Sequence, residues 1–201
     1  MCPDVVRIRH VKPEIRILGI DDGVFKPHTQ GLADIIGVVY RGGYWLDGVM
    51  KTEVEIDGTD ATEKIASMIT QSIHYNQLRV VMLDGVTFAG LNVVDIKELL
   101  QRVHLPVITI TKEKPLDEMI KKAIQKLPES KKRLDAITNA GKITAIHTHD
   151  DNQVAYMQVA GLSLEDAEKI VKNTSTRSSI PEALRVAHII ASGLTKSKEN
   201  V

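Results

Sequence analysis

Two apolar, β-rich runs in this chain end on the same kind of signature, and that repetition constrains the fold more than any other feature. Residues 15–20 end at Asp21-Asp22-Gly23, and residues 79–83 end at Asp84-Gly85. A short, continuous apolar run bounded by turn residues reads as a strand covered on both faces, the habit of a sheet interior with parallel strands. In such sheets ligands gather at the carboxyl ends of the strands. Asp-Gly is also an ordinary turn pair, because Asp bonds nearby backbone and Gly supplies positive φ. It is the pairing of two such ends that points to a site.

The remaining elements follow in a definite order. Strands are predicted over residues 15–20, 35–40 and 44–56, the last weakened by Gly48, which marks a candidate bulge. A helix begins near Asp60, where Asp60 and Glu63 stand as in a capping box, with Ile65, Met68, Ile69 and Ile73 as its apolar stripe. A strand over 79–83, a helix over 92–103 and a strand over 106–111 come next. Pro115 suits a first helical position, and Leu116, Met119, Ile120, Ala123, Ile124 and Leu127 form the clearest helical stripe. Residues 128–142 are charged and weakly patterned. Strands over 142–148 and 153–160 flank a turn at 149–152. Ser163 and Asp166 open a helix to about Lys172, and Pro181 opens a last one to Leu194. A strand meander followed by β-α units predicts an α/β protein with a mixed sheet and helices on both faces, in the order of the ribonuclease H-like fold. The whole chain, residues 1–201, is expected to be a single domain, with a short N-terminal extension (1–13) and a polar C-terminal tail (195–201).

The chain's 201 residues suffice for a core without disulfides, and the single cysteine, Cys2, excludes a disulfide framework and any multi-cysteine zinc site. No apolar run approaches the ~18 residues of a membrane helix, so no membrane partner is expected and a cytoplasmic location is. The 26 basic and 26 acidic residues cancel. The cancellation hides an asymmetry: residues 47–98 carry a net −5, and residues 112–142 a net +4. A balanced total argues against tight coating of nucleic acid, and any strand held by the local basic segment should be lost readily with salt.

In the predicted order the strands ending at Asp21 and Asp84 are sheet neighbours, so their carboxylates converge. Two such groups ionise together only with a cation between them. Mg²⁺ takes one or two carboxylates and leaves its other positions to water and phosphate oxygens, an arrangement suited to phosphodiester hydrolysis. Asp21 and Asp22 point to opposite faces of their strand, so only one of them faces the ion. Asp60 has a plain role as helix cap, and His188, four residues after Leu184, falls on the buried face of the last helix. His147 and His149 lack a third ligand. Ser178 and Ser179 have no base beside them in sequence.

With these residues in view, the chain closely resembles an uncharacterised, mainly archaeal family, domain of unknown function ninety-nine. The resemblance is carried by Leu18-Gly19-Ile20-Asp21-Asp22-Gly23, Arg41-Gly42-Gly43-Tyr44-Trp45-Leu46-Asp47-Gly48-Val49, Leu83-Asp84-Gly85-Val86-Thr87-Phe88-Ala89-Gly90-Leu91-Asn92, and Arg177-Ser178-Ser179-Ile180-Pro181-Glu182-Ala183-Leu184-Arg185-Val186-Ala187-His188. That family looks like a distant relative of endonuclease V, a ribonuclease H-like, Mg²⁺-dependent nuclease acting on deoxyinosine or inosine. The resemblance implies Asp21 and Asp84 as metal ligands and catalytic residues, His188 as a catalytic histidine, and Lys112 and Arg185 as substrate-binding residues. It implies Asp60, and less directly Glu63, at the position of a further catalytic carboxylate. The aromatic-Ile-Pro-Gly wedge of the endonuclease has no counterpart; Arg41-Gly42-Gly43-Tyr44-Trp45 is the nearest aromatic element and differs in spacing.

The function expected is therefore a Mg²⁺- or Mn²⁺-dependent nuclease-like protein acting on single-stranded or modified nucleic acid. The alternatives are a nucleic-acid or protein-binding module that kept the fold and lost activity, and a small-molecule phosphoesterase using the same metal. Low aromatic content, 3%, leaves few stacking platforms for single-stranded bases.

Overall fold

A computed structural model describes residues 11–114, 117–148 and 154–196. Its frame is a seven-stranded sheet in the order β3-β2-β1-β4-β7-β9-β8. The meander comprises β1 (Arg16–Asp22), β2 (Leu32–Arg41) and β3 (Trp45–Glu55). Then come α1 (Ala61–Thr70), β4 (Val80–Asp84), the short pair β5 (Thr87–Phe88) and β6 (Asn92–Val93), α2 (Ile96–Val103) and β7 (Val107–Thr111). The chain continues through α3 (Asp117–Ile124), α4 (Ser130–Ala140), β8 (Thr144–His147), β9 (Val154–Ala160), α5 (Leu164–Thr174) and α6 (Glu182–Lys196). β1, β4 and β7 run parallel, and the other pairings in the large sheet are antiparallel.

The central strands are apolar on both faces because helices cover both. On one side Leu18, Ile20, Val81 and Leu83 pack with Ile65 and Ile69 of α1 and Ile96, Leu99 and Val103 of α2. On the other, Ile17, Val80, Met82 and Ile108 pack with Ile170 and Val171 of α5 and Ala183, Leu184, Ala187 and Ala191 of α6. Gly19 sets the seat of α6. A Cβ there would lie 2.4 Å from the Ala183 carbonyl carbon, so only glycine lets this helix lie so close to β1. The same close seat carries His188 to the end of β1.

Several local expectations change in the structure. The bulge expected near Gly48 is there: pairing shifts from Val39↔Gly48 to Tyr40↔Leu46, leaving Asp47 as the extra residue, held by Arg16 and Arg41. α1 stops at Thr70, and Ile73, expected on its apolar stripe, is 89% exposed. Asp60 occupies the N-cap position but makes no cap bond, so the capping box with Glu63 does not form; Asn92 Oδ1 instead accepts from the Ala61 N–H. α2 starts late, at Ile96, because Asp95 caps it by accepting from the Lys97 and Glu98 N–H groups, while Asn92 and Val93 pair with β5.

α3 buries Ile124 but leaves Met119 67% exposed, so its stripe lines a cavity instead of a core; Pro115 and Leu116 lie outside the described residues. α4 falls in the segment expected to be weakly patterned. The buried Arg133 holds it by donating to the carbonyls of Asp57, Gly58, Leu91 and Pro128. Hydrogen bonding replaces the apolar stripe that would have announced the helix. Ser163 caps α5 as expected, accepting from the Asp166 N–H. α6 runs two residues beyond the expected Leu194, to Lys196. The expected 149–152 turn, with His149, and most of the expected terminal segments lie outside the described residues. Among those described, no helix is long and apolar enough to cross a membrane.

Candidate metal centre

Parallel pairing of β1 with β4 aligns Ile20 with Leu83, so the next residue on each strand, Asp21 and Asp84, stands beside the other at the carboxyl ends. Alternation along β1 turns Gly19 and Asp21 toward α6 and Asp22 toward the opposite layer. His188, on α6, completes the group: its Nδ1 lies 2.8 Å from Asp21 Oδ2. One ligand atom from each of Asp21, Asp84 and His188 falls within 4.8 Å of the others. A single ion with metal–oxygen bonds of about 2.1 Å spans roughly 4 Å between ligands, so the three side chains fit around one ion with little movement.

The electrostatics argue the same way. Burial, then the Asp84 and Asp22 charges, push Asp21 up to about 7, against the lowering bonds from His188 and the Asp22 N–H. Burial also raises Asp84, with His188 and Lys112 opposing. A buried and a half-buried carboxylate held side by side make a site of negative potential, which is what a divalent cation neutralises. Two oxygen donors and an imidazole suit Mg²⁺ or Mn²⁺ more than a thiophilic metal.

Asp22 has a different task. It too is raised by burial, and its Oδ2 accepts from the Ala89 N–H at 2.5 Å. The bond ties the end of β1 to the loop that follows Asp84, and so fixes the two carboxylate-bearing ends relative to each other. Lys112, immediately after β7, is exposed and close enough to favour the charged form of Asp84.

The other expected site residues stand apart from the cluster. Asp60 accepts from Asn92 Nδ2 and the Glu55 N–H, inside the turn network around Arg133. Glu63 is exposed on α1. Arg185 makes a two-pronged pair with the buried Glu182 and faces the Tyr40 side, toward the start of β1. His188 departs from its expected place in the core: its neighbours Leu184, Ala187 and Ala191 are buried, but its own side chain is 66% exposed. It sits where α6 passes the end of the sheet, so the helix face that is buried at Leu184 is open one turn later.

A cavity of about 480 Å³ adjoins the cluster, with Asp84 common to both and Gly85 beside it in the wall. Its walls include Val86, Met119, Ile120, Ile137 and Tyr156. Thr109 and Gln158 lie at its floor, paired across β7 and β9. Sequence reasoning passed over both, since each reads as an interior strand residue; a buried Gln facing a buried Thr across two strands shows only once the register is known.

A family model for endonuclease dU matches residues 13–195. The chain belongs to the endonuclease dU family. A relative from Methanothermobacter thermautotrophicus, named a UPF0215 protein, is 51% identical over 188 residues, 93% of this chain and 91% of its own. A crystal structure of a protein of unknown function from Archaeoglobus fulgidus superposes with a TM-score of 0.80 at 34% identity, covering 90% of this chain and 98% of that one. Endonuclease V from Ciona intestinalis, solved with DNA containing an inosine followed by a ribo-adenosine, superposes with a TM-score of 0.59 at 19% identity, over 92% and 87% of the two chains. The endonuclease dU family member described here therefore has the α/β mixed-sheet fold of endonuclease V, as its strand order implied.

Proposed function

We propose that this protein is a divalent-metal-dependent endonuclease that cuts nucleic-acid phosphodiesters beside deoxyuridine. The observation that carries the reading is the trio Asp21, Asp84 and His188, with ligand atoms within 4.8 Å, at the carboxyl ends of two adjacent parallel strands. The family's name supplies deoxyuridine; the likeness to endonuclease V supplies a fold in which a lesion-bearing strand is held.

Asp21 and Asp84 would hold Mg²⁺ or Mn²⁺, each by a carboxylate oxygen. The bound ion supplies stabilisation of charge developing on phosphate oxygens and makes a nearby water more acidic. The rest falls to the chain. Asp22 keeps the β1 end and the loop after β4 in register through the Ala89 N–H. His188, anchored through Nδ1 to Asp21, keeps its ring exposed and its Nε2 available to move a proton to or from the reacting oxygens. Lys112 offers a positive charge to the phosphate on the side away from α6. Water adds at phosphorus, the P–O bond to the leaving sugar breaks, and the proton lost by the water ends on the leaving oxygen or solvent.

The test is a cleavage panel: oligonucleotides with one deoxyuridine, one deoxyinosine or neither, as single strands and duplexes, with Mg²⁺, Mn²⁺ or EDTA. Cutting at deoxyuridine with either metal is expected, and EDTA or Asp84→Asn should stop it. No cutting of any substrate with either metal, or cutting that survives Asp84→Asn, overturns the reading.

A further inference from the structure

The cavity beside Asp84 has a polar floor in an otherwise largely apolar wall, and that floor is held in one orientation. Gln158 Nε2 donates to the Gly141 carbonyl at 2.9 Å. A carbonyl only accepts, so this bond decides which way the amide lies and leaves Oε1 as the atom facing Thr109, whose Oγ1 donates to it at 3.4 Å. That single long bond leaves one lone pair of a buried carbonyl oxygen for a donor arriving in the cavity. Gln158 is 8% exposed and Thr109 3%, so neither has bulk water as an easy alternative partner.

At about 480 Å³ the cavity has the size of a small-molecule site and exceeds the volume of one base. Tyr156 and the apolar side chains offer faces for an aromatic ring. It touches Asp84, so a base seated in it lies next to the backbone that the metal centre would cut. A base reaches such a pocket only out of the stack.

We infer that this cavity receives an extruded base, and that Gln158 Oε1 reads the ring N–H that deamination creates. Cytosine N3 and adenine N1 are acceptors; their deamination products, uracil and hypoxanthine, carry N3–H and N1–H at those positions. Opposite the ring nitrogen, the Gln158 Oε1 acceptor bonds the product's N–H and repels the parent's lone pair. Thymine and guanine also carry a ring N–H, but in duplex DNA they sit in well-formed pairs, whereas a deaminated base opposite its old partner is mispaired and extrudes at less cost. The inference rests on the nuclease reading for its biological sense, while its test needs neither metal nor cleavage.

The test is NMR on metal-free protein with labelled methionine methyl groups, because the exposed Met119 lines the cavity. Deoxyuridine, deoxyinosine and deoxycytidine are titrated separately. Deoxyuridine and deoxyinosine should shift the Met119 signal, and their relative affinities say which deaminated base the cavity prefers. Deoxycytidine should bind roughly tenfold more weakly, as expected for one misplaced buried hydrogen bond. Gln158→Leu, and separately Thr109→Val, should shrink the deoxyuridine–deoxycytidine difference, with Gln158→Leu removing it. No shift at the Met119 methyl with any nucleoside overturns the cavity as a base site. Equal binding of deoxyuridine and deoxycytidine by the unsubstituted protein overturns Gln158 as the reader. Nucleoside binding without oligonucleotide cleavage would sink the nuclease reading and leave this one standing.

Discussion

Three Asp-Gly or Asp-Asp-Gly turns stand at strand ends in this chain, and the structure uses them in two opposite ways. At Asp57-Gly58, the turn is held by a dense set of hydrogen bonds. Asp57 Oδ1 accepts from the Leu91 N–H, Asn92 bonds Asp60, Glu55 and Ala61, and Arg133 caps the carbonyls of Asp57, Gly58 and Leu91. At Asp21 and Asp84 the carboxylates stand side by side; burial raises both, and the Asp84 and Asp22 charges raise Asp21 further. The first arrangement is a satisfied knot that fastens α4 to the sheet. The second holds charge that the fold itself does not neutralise. What separates a structural turn from a binding site is a second carboxylate brought beside the first, not the dipeptide.

That contrast is open to attack. Arg133→Met removes the donor from four carbonyls and should destabilise the protein by about 3 kcal/mol, read as a lower denaturation midpoint at unchanged slope. Asp84→Asn should act in the other direction, stabilising the metal-free protein by about 1 kcal/mol and raising its midpoint, because it removes a half-buried charge held against Asp21. If both substitutions destabilise alike, the two turns are not different in kind.

The pH dependence sharpens the same point. Asp21 holds its proton to about 7 when folded and releases it near 3.8 when unfolded. Between those values the native state binds more protons, so metal-free stability should fall as pH rises from about 4 to 7, by up to about 1 kcal/mol per unit. Saturating Mn²⁺ should flatten that slope, since the ion replaces the proton. Melting curves at several pH values, with and without Mn²⁺, measure it. The smallest effect belongs to Asp22→Asn. It weakens the acceptor for the Ala89 N–H without removing it, and should lower cleavage about tenfold with little change in melting temperature.

The sheet order was legible because apolar runs, Gly punctuation and the meander-then-βα sequence all reported it. Asp21 and Asp84 were legible as paired strand ends. His188 was legible only through the family resemblance, since its spacing from Leu184 says core; the helix simply outruns the sheet there. α4 was not legible, because Arg133 and a knot of carbonyls anchor it, and hydrogen bonds leave no periodic trace. The acidic surplus of residues 47–98 shrinks in meaning too: Asp47, Asp57, Asp60 and Asp95 are engaged in a bulge, a turn and a helix cap. Only Asp84 of that segment joins the cluster.

The central claim is that Asp21 and Asp84, with His188 beside them, form a site for a divalent ion, and calorimetric titration of the purified protein with Mn²⁺ tests it most directly. In two buffers of different ionisation enthalpy near pH 6.5, the account predicts saturable binding with proton release, lost in Asp84→Asn although that variant stays folded. Binding of equal strength in Asp84→Asn, or no binding to the unsubstituted protein, would contradict it.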